Sequence, residues 1–444
     1  MHTTRRETAF LLLGDVLLLI CSLWLALAAR ALAVPGTAYF IGHLTAFVPV
    51  FLFSLLIFFI SGLYERQARL VKRILGTRIL GAQFANTVIA AVIFFILPLE
   101  IAPKTILALY LGISVALISS WRFFVVPALK LAGRERALIV GTGSLVAAVH
   151  SEVNRQPKYY ITFDEHLDPS ALAEGQLSER IRRATESGVS FVVIDTRNED
   201  VRRELPALYD LMVSGVSFVE FSAFYESLFD RVPLDHIDHA WILECLPKRN
   251  VIYSFLKRLI DLAGALVGLV LATPFILVAA ILLLIERGEP FVFHTRIGEG
   301  GRPFRIVKLR SMLINDHGDP ELQKGNRVTT LGKFLRKTRI DELPQLWNIC
   351  RGELSFIGPR PELPAIAHTY EREIPYYSIR HLIAPGLSGW AQIYDYDAPR
   401  GAADVPRTRR KLSYDLYYLK NRSFGLDMAI ALKTLRALAS FSGT

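Results

Sequence analysis

The sequence predicts a membrane protein in three parts: an N-terminal four-helix transmembrane region, a Rossmann-like α/β middle domain, and an α-rich C-terminal domain with a proline-broken re-entrant membrane helix. Three observations predict it: a high apolar content, apolar windows of membrane-spanning length, and a middle stretch in which β-branched runs alternate with helical ones. Of the 444 residues, 52% are hydrophobic and 21% are charged, and the mean hydropathy is +0.34. Soluble domains contain about a quarter charged residues, so most of this chain is buried in protein or lipid.

The net charge indicates which binding partners to expect, and the cysteines indicate the redox compartment. Lys and Arg exceed Asp and Glu by 51 to 41, which gives a net charge of +10. Together with the apolar content, this basic excess favours anionic lipid head groups or phosphorylated substrates. Nucleic acid is not expected as a partner, since the basic residues lie beside membrane segments. Cys21, Cys245 and Cys350 are far apart, form no CxxC pair and fit a reducing compartment.

The first predicted domain, residues 1–130, contains four apolar windows, at about 9–34, 38–62, 79–101 and 104–126. Each approaches the roughly 20 residues that an α-helix needs to cross a bilayer. Basic residues before the first window, between the second and third, and after the fourth predict that these segments lie in the cytoplasm, with everything after residue 130. These residues are Arg5, Arg6, Arg66, Arg69, Lys72, Arg73, Arg78, Lys130, Arg134 and Arg136.

Two charged residues fall inside these windows, Asp15 and Arg122. A charge within a membrane segment is in general a candidate for function. Both residues, however, lie within about two helical turns of a cytoplasmic end. The interpretation is therefore that each side chain snorkels to the interface, with a functional role as the alternative.

A fifth apolar stretch, Leu259–Ile285, is long enough to span but contains Pro274 near its middle. Proline removes a helical hydrogen bond and predicts a kink. Both flanks are basic, and an outward-facing remainder of the chain would violate the positive-inside rule. The sequence predicts a re-entrant helix over 257–286 that breaks at Thr273–Pro274 and returns to the same face; an ordinary fifth span is the alternative. The flanking basic residues are Lys257, Arg258, Arg287, Arg296, Arg302 and Arg305.

In the second predicted domain, residues 136–246, four short apolar runs alternate with helical stretches and predict a small doubly wound parallel sheet. The runs lie at 137–141, 159–163, 189–195 and 216–221. The first run leads into Gly141 and Gly143, and Asp164 stands at the end of the second strand, as in part of a dinucleotide-binding fingerprint. Val146 replaces the third glycine of that fingerprint. A Rossmann-like scaffold without a ligand is the main interpretation, and a bound nucleotide or regulatory ligand is the alternative.

The third predicted domain contains carboxylates and basic residues in a pattern that suits phosphate chemistry. Asp341 and Glu342 are adjacent, a basic run precedes them from Arg336, and Arg360 follows between two prolines. Carboxylates bind a hard cation and Arg binds phosphate in a bidentate way, which is the combination that metal-assisted phosphoryl transfer needs. An Asp carboxylate can also act as a nucleophile and form an acyl phosphate. The alternative is a solvated helix start with surface ion pairs, capped by Thr338.

This third domain, residues 251–444, contains three motifs in a fixed order: LKRLIDLAGAL, then EPFVFHTRIGEGGRPFRIVKLRSM, then LGKFLRKTRIDELPQLWNICRGELSFIGPRPE. In this order, with a proline-broken apolar hairpin after the first, they are similar to the bacterial sugar transferase family over about residues 250–440. The four N-terminal spans and the α/β insert resemble the long form of that family. Its members are the monotopic polyprenyl-phosphate hexose-1-phosphate (phosphoglycosyl) transferases.

The resemblance implies an enzyme that transfers a hexose-1-phosphate from a UDP-sugar to undecaprenyl (polyprenyl) phosphate and releases UMP through a covalent aspartyl-phosphosugar intermediate. This is the first membrane step of exopolysaccharide, O-antigen or capsule biosynthesis, on the cytoplasmic face of the bacterial inner membrane. Expected partners are the UDP-sugar, undecaprenyl phosphate and membrane lipid, while a homo-oligomer and contacts with downstream glycosyltransferases stay open. The alternative is a non-enzymatic membrane scaffold or regulator of a polysaccharide assembly complex, with the Rossmann-like domain as a ligand sensor.

The resemblance also implies roles for individual residues. Asp341 is the expected nucleophile, and Glu342 beside it is the expected second catalytic residue and the ligand of Mg²⁺, the expected cofactor. The residues expected to bind substrate phosphates or line their pocket are Arg336, Arg360, Lys308 and Arg310. Asn326 stands where the family usually has an Asp, which leaves a metal or structural role of that position open.

Overall fold

The computed structural model describes residues 2–64, 72–96, 104–126, 134–156, 159, 161–173, 175–213, 216–237, 241–243, 251–286, 288–313, 327–395 and 404–439. The chain forms two compact units, Met1–Leu228 and Phe229–Thr444. The division into three domains, 1–130, 136–246 and 251–444, remains a prediction. Outside the described residues lie Arg66, Arg69, Lys130, Cys245, Arg287 and Asn326, and also the side chains of Arg5, Arg6, Lys72, Arg73 and Arg78.

The described part of the chain up to residue 126 is helical. It comprises α1 (His2–Ala31), α2 (Thr37–Ile60), α3 (Lys72–Ile96) and α4 (Lys104–Ser120), which continues into a π-helical turn, Trp121–Val125. The inner faces of the helices pack on one another around residues such as Phe47 and Tyr110, while apolar side chains also cover the outer faces. A helix that is apolar on all sides needs lipid or protein on all sides.

Four helices in the described residues are long and apolar enough to cross a membrane: Thr8–Ala31, Thr37–Ile60, Thr105–Val125 and Val251–Ile285. They identify the chain as a membrane protein. The first three match predicted N-terminal spans. The remaining predicted span, the window that starts at residue 79, begins inside α3, whose apolar stretch, Ile79–Phe94, is shorter than the other four.

Asp15 and Arg122 do not snorkel to an interface, so that interpretation is wrong. Their side chains form an ion pair among the N-terminal helices and are 0% and 3% exposed. Tyr64 Oη donates a hydrogen bond to Asp15 Oδ2 (2.9 Å), and Arg122 donates to the carbonyl of Leu63 (3.0 Å). Because each charge is neutralised by the other, neither side chain has to reach water.

The rest of the first unit contains a four-stranded sheet. Its strands are β1 (Glu135–Val140), β2 (Ile161–Leu167), β3 (Phe191–Ile194) and β4 (Ser217–Glu220), and its helices are α5 (Ser144–Arg155), α6 (Gln176–Glu186), α7 (Glu199–Val213) and α8 (Phe221–Phe229). The strand order is β2–β1–β3–β4, and all neighbours are parallel. The inner strands are buried on both faces, which is why they are continuous apolar runs in the sequence. The predicted α/β region is confirmed.

Asp164 does not lie where a dinucleotide-binding fingerprint would need it. It lies within β2 rather than at its end, and its carboxylate forms an ion pair with Arg136 (2.7 Å). Arg136 stands near the amino end of β1, whereas Gly141 and Gly143 follow the carboxyl end of that strand. The ion pair therefore holds the acid away from the glycine turn.

The second unit is rich in α-helix. Its helices are α9 (Val251–Ile285), α10 (Thr330–Thr338), α11 (Leu346–Arg351), α12 (Pro364–Glu373), α13 (Trp390–Tyr394), α14 (Val405–Asn421) and α15 (Phe424–Ala439). Strands β5 (Phe291–Ile297) and β6 (Pro303–Leu309) form an antiparallel hairpin, and β7 (Ser355–Ile357) pairs in parallel with β8 (Gly386–Ser388). Gly300 and Gly301 turn the hairpin with φ of 68° and 73°, which a residue with a Cβ rarely adopts.

Helix α9 is continuous through Pro274, so the predicted break at Thr273–Pro274 does not interrupt helical structure. Proline deprives the carbonyl one turn earlier of its partner. At this point the Thr273 hydroxyl donates to the carbonyl of Leu269 (2.7 Å), a local bond that is compatible with a helix on both sides of the proline. The return of α9 to the same membrane face stays a prediction.

One face of α9 packs on the second unit along the full helix. Near its amino end, Asp261 accepts a hydrogen bond from the Ser355 hydroxyl (2.7 Å). In its middle, Ala272 packs against Leu346 of α11. At its carboxyl end, Leu283 packs against β6 and α10. The opposite face is apolar and exposed from end to end, with side chains that include Val251, Phe255, Val270, Phe275 and Ile285.

Candidate active site

The two adjacent carboxylates lie on a tight turn between α10 and α11. Thr329 caps α10 by accepting a backbone hydrogen bond (2.9 Å), and the helix ends at Arg339, whose φ of 59° redirects the chain. A short 3-10 helix, Ile340–Gln345, follows and carries Asp341 and Glu342. The capped helix and the left-handed conformation of Arg339 together determine the position of the turn that carries Asp341 and Glu342.

The alternative of a solvated, capped helix start is wrong. The Thr338 hydroxyl does not cap the next helix, because it donates back to the carbonyl of Phe334 (2.9 Å). Asp341 is only 8% exposed. Leu343 packs into the hydrophobic cluster on the middle of α9 and draws the turn inward.

Glu342 is held ionised by its basic neighbours. Lys308 Nζ lies 2.9 Å from Glu342 Oε1, and an Arg339 nitrogen lies 3.6 Å from Oε2. Burial alone would raise the pKa of Glu342, but the charges of Lys308, Arg360 and Arg339 outweigh it and hold that pKa at about 2. Glu342 is therefore a carboxylate at physiological pH.

The pKa of Asp341 is shifted in the opposite direction to that of Glu342. Burial and the adjacent charge of Glu342 raise the pKa of Asp341 to about 6. Lys308, Arg336 and Arg339 act against this rise without cancelling it. Asp341 Oδ1 is buried and has no hydrogen-bond partner among the residues that the structure describes. Two neighbouring carboxylates whose pKa values are pushed apart indicate two different chemical roles, with Asp341 suited to act as the nucleophile.

Two of the predicted phosphate-binding residues, Arg336 and Arg360, are positioned by other polar groups. Arg336 Nε donates to the Ser311 hydroxyl (2.8 Å), and the carbonyl of Arg360 accepts from Arg380 (2.9 Å). The charge of Arg336 acts on Asp341, and that of Arg360 acts on the adjacent carboxylate. The structure thus brings Arg336, Arg360 and Lys308 together at the two carboxylates.

Arg380 holds the loop of Arg360 through a buried network. Its guanidinium contacts Asp415 Oδ2 through two nitrogens (3.0 and 2.8 Å) and donates to Tyr377 Oη (2.7 Å). The same guanidinium reaches the Arg360 carbonyl. A planar group bonded to three oxygen atoms in fixed directions restrains the loop that it supports.

Arg310 is not brought to the carboxylates. It is buried against the carboxyl end of α9, where its guanidinium lies 3.4 Å from the Leu283 carbonyl and 3.7 Å from Glu286. These contacts fasten α9 to β6, and they direct the side chain away from the role expected of it. Thr273 and Pro274 lie inside α9, next to the part of the helix that packs under the carboxylate turn.

Sequence reasoning missed several residues that shape this site. Arg339 belongs to the basic run before the carboxylates but was given no role, although its position three residues before Glu342 could have indicated their ion pair. Ser311, Arg380 and Asp415 are far from one another in the sequence, and no local pattern relates them to the carboxylates. Only the fold of the second unit makes them neighbours of the arginines that they position.

The carboxylate pair fits a magnesium ion. Mg²⁺ typically takes one or two protein carboxylates and completes its shell with substrate phosphates and water. Asp341 Oδ1 has free acceptor capacity, and Glu342 beside it is ionised. Among the described residues, no group of three or more His, Cys, Asp and Glu side chains could hold a metal ion without a substrate.

Comparison with known proteins relates this site to a family. A sequence profile described as bacterial sugar transferase matches residues 252–440, which include the whole candidate site. The UDP-N-acetylgalactosamine-undecaprenyl-phosphate N-acetylgalactosaminephosphotransferase of Aeromonas hydrophila is 40% identical over 258 residues, 57% of this chain and 59% of that protein. This chain therefore matches less than two thirds of the Aeromonas protein.

Other relatives are matched over most of their length. The UDP-glucose:undecaprenyl-phosphate glucose-1-phosphate transferase of Caulobacter vibrioides is 37% identical over 196 residues, 43% of this chain and 73% of that protein. The exopolysaccharide production protein PSS of Rhizobium leguminosarum is 36% identical over 189 residues, 40% of this chain and 93% of that protein. The extent of these matches and the profile match together show that the chain belongs to the bacterial sugar transferase family.

Proposed function

We propose that this protein transfers a hexose-1-phosphate, with or without an N-acetyl group on the sugar, from a UDP-sugar to undecaprenyl phosphate and releases UMP. The observation that carries the proposal is the carboxylate pair. Asp341 has a buried oxygen without a hydrogen-bond partner among the described residues, and Glu342 beside it is held ionised. The names of two relatives, which include a UDP-sugar and undecaprenyl phosphate but different sugars, support the substrate class.

In the first half-reaction, Asp341 attacks the phosphorus that carries the sugar. A bond forms between a carboxylate oxygen and phosphorus, the bond from phosphorus to the UMP oxygen breaks, and UMP leaves with that electron pair. Burial leaves Asp341 poorly solvated and raises its pKa, which makes its carboxylate a stronger nucleophile. Arg336 and Arg360 supply fixed positive charge to the phosphates as negative charge moves onto the leaving group.

In the second half-reaction, an oxygen of undecaprenyl phosphate attacks the same phosphorus. The bond from phosphorus to Asp341 breaks, the carboxylate is regenerated, and the product is a sugar linked to the lipid by a diphosphate. Because the sugar phosphate is held covalently between the two steps, donor and acceptor need not be bound at the same time. The proposed kinetics are therefore ping-pong.

The proposed cofactor is Mg²⁺. Glu342 would hold it, with Asp341 beside it and substrate phosphates as further ligands. When bound, it would neutralise charge on the diphosphate of the donor. Lys308, which forms an ion pair with Glu342 at 2.9 Å, keeps that carboxylate ionised for this role.

The proposed topology is a re-entrant α9 at the cytoplasmic face of the bacterial inner membrane. A helix of 35 residues is about 53 Å long, well above the roughly 30 Å of a hydrocarbon core. Contacts at both ends support a return to one face: Arg258 donates to the Cys350 carbonyl (2.8 Å), and Glu286 pairs with Arg310. A membrane crossing would separate groups that one compact unit holds together.

This topology would place the carboxylate turn near the lipid head groups. The apolar outer face of α9 would lie in lipid, and the carboxylate turn packs on its middle. The phosphate of a polyprenyl lipid and a UDP-sugar from the cytosol could then meet at head-group depth. For the α/β region we propose a Rossmann-like scaffold, since its four parallel strands have the doubly wound order.

The test is UMP release by the purified full-length protein with Mg²⁺, undecaprenyl phosphate and a panel of UDP-sugars. Release is expected with at least one donor. Asp341→Asn is expected to lose at least about 10³-fold in rate, since removal of a covalent nucleophile leaves only binding and electrostatic catalysis. Arg410→Gln, an exposed change on α14, is the control that should keep full activity.

Two results would contradict the proposal. Release at the wild-type rate by a folded Asp341→Asn protein would remove Asp341 from the mechanism. No release with any UDP-hexose or UDP-N-acetylhexosamine would favour the alternative of a non-enzymatic scaffold or regulator.

A further inference from the structure

A second group of basic side chains lies near Arg360, whose charge also acts on Glu342 of the carboxylate turn. The end of β5 is joined to the loop of Arg360 by a backbone hydrogen bond from Ile297 N to the carbonyl of Glu362 (3.0 Å). This bond brings Arg296, the neighbour of Ile297, to the same loop. The charges of Arg360 and Glu362 both act on Arg296.

Helix α14 is connected to the same loop through Arg380. Arg380 bridges the Arg360 carbonyl (2.9 Å) and Asp415 of α14 (2.8 Å). Lys411 precedes Asp415 by one helical turn and therefore lies on the same face of α14. The charges of Glu362 and Arg360 act on Lys411 as they do on Arg296. Three separate elements thus place Arg296, Arg360 and Lys411 around Glu362.

The charged groups of Arg296, Arg360 and Lys411 have in common that no described side chain pairs with them. Among the described residues, none of them has a hydrogen bond or ion pair through its charged group, whereas Arg380 and Arg407 nearby are fully engaged. Arg296 is only partly exposed, and burial, followed by the charge of Arg360, lowers its pKa. Burial also lowers the pKa of Lys411. The positive charges of Arg296 and Lys411 are therefore held at a free-energy cost that a bound anion would reduce, while Arg360 is exposed beside them.

The charge balance indicates which anion fits. Four basic side chains, the three named above and Arg380, meet two carboxylates, Glu362 and Asp415, so two positive charges remain. The ion pair between Arg407 and Asp395 beside Lys411 adds no net charge. A phosphate monoester carries about two negative charges at neutral pH.

We propose that Arg296, Arg360 and Lys411 form a second phosphate subsite that binds a phosphate monoester dianion next to the sugar phosphate at Asp341. This rests on the proposed function. In that reaction, the UMP that leaves and the undecaprenyl phosphate that enters are both phosphate monoesters, and each is joined to the phosphorus held at Asp341. Arg360 acts on Glu342 and on Arg296, so it links the two phosphate positions.

The test measures binding and turnover on the full-length protein in detergent. UMP binding is measured by calorimetry without donor, and the KM for undecaprenyl phosphate is measured from UMP release. Arg296→Gln and Lys411→Met remove one charge each at nearly constant length. Each is expected to weaken UMP binding, raise the KM for undecaprenyl phosphate, or do both, by about ten- to hundredfold, as expected for a lost charged hydrogen bond.

Matched controls lie on the same hairpin as Arg296 and on the same helix as Lys411. Arg305→Gln changes an exposed arginine on β6 that pairs across the hairpin with Thr295, the neighbour of Arg296. Arg410→Gln changes an exposed arginine next to Lys411 on α14. Both controls are expected to leave UMP binding and the KM unchanged. Thermal unfolding confirms that all four variants are folded.

The outcomes separate the sources of the phosphate. A loss for UMP alone assigns the subsite to the nucleotide, a loss for undecaprenyl phosphate alone assigns it to the lipid, and a loss for both shows that the two share it. Unchanged values for both in Arg296→Gln and Lys411→Met would overturn the proposal, as would a wild-type protein that binds neither. Because UMP binding needs no turnover, a wild-type protein that binds UMP through Arg296 but releases none from any donor would contradict the proposed function alone.

Discussion

Two buried aspartates, one in each unit of the molecule, are built in contrasting ways. Asp15 receives hydrogen bonds from Arg122 and Tyr64 on a single oxygen and forms a closed ion pair. In both aspartates Oδ1 is buried and has no hydrogen-bond partner among the described residues. The difference is that Asp341 stands near several basic side chains without a hydrogen bond or ion pair to any described side chain, and its pKa is raised to about 6. A buried charge with a dedicated partner stabilises a fold, whereas one without a partner is costly and is retained for chemistry.

The largest expected effect is on the closed pair. Asp15→Asn should lower the free energy of unfolding by about 3–5 kcal/mol, because it leaves the guanidinium of Arg122 buried without a counter-charge. The double variant Asp15→Asn/Arg122→Met should lose less than the sum of the two single variants. Thermal unfolding in detergent measures these losses, and turnover per folded molecule should stay the same. Additive losses would contradict the view of a coupled pair.

Asp341→Asn should have the opposite effect on stability, a gain of roughly 1–3 kcal/mol at pH 7.5. The pKa of Asp341 is raised from 3.8 to about 6, so the folded state binds this proton more tightly than the unfolded state. Stability is therefore lost as the pH rises from about 4 to 6, and Asn removes that loss. Thermal unfolding at pH 7.5 and pH 4 checks this, with the gain confined to the higher pH.

Glu342→Gln is the matched control, with the opposite sign. The pKa of Glu342 is lowered from 4.5 to about 2, so the fold favours its charge and this contribution is present above about pH 4.5. Gln should therefore destabilise the protein at pH 7.5. If both variants shifted the unfolding temperature in the same direction, the contrast between the two carboxylates would be contradicted.

The smallest expected effect is a shift in a pH profile. Asp341 must be ionised to attack, so single-turnover UMP release should fall about tenfold per pH unit below about pH 6. Lys308→Met removes a charge that lowers the pKa of Asp341 and should move this fall upward by about one unit. Lys337→Met, at an exposed position on α10, should leave the profile in place. If the pH profile of the Lys308→Met variant matched that of the wild type, Lys308 would not affect the pKa of the nucleophile.

The elements that the sequence predicted well are those with local causes. The inner strands of the α/β region, β1 and β3, are buried on both faces, and this produces the continuous apolar runs that indicated them. The membrane helices follow from length and hydropathy alone. Asp341 and Glu342 were singled out because adjacent carboxylates beside several basic residues suit metal-assisted phosphoryl transfer, and their catalytic roles stay a prediction.

The features that the sequence did not predict depend on which elements meet. Asp15 and Arg122 stand on α1 and the turn after α4, and only helix packing shows that they pair. Arg310 follows Lys308 by two residues, but its contacts with the end of α9 take it out of the site. Arg296 could not be related to α14 by any spacing, since the loop of Arg360 connects them.

The most direct test of the central claim is mass analysis of the peptide that contains Asp341. The protein is incubated with Mg²⁺ and an accepted UDP-sugar in the absence of undecaprenyl phosphate, then digested at low pH. The account predicts a mass increase equal to one sugar phosphate on Asp341, which disappears when undecaprenyl phosphate is added. UMP release with an unmodified Asp341 peptide, or with the adduct on another residue, would contradict the account.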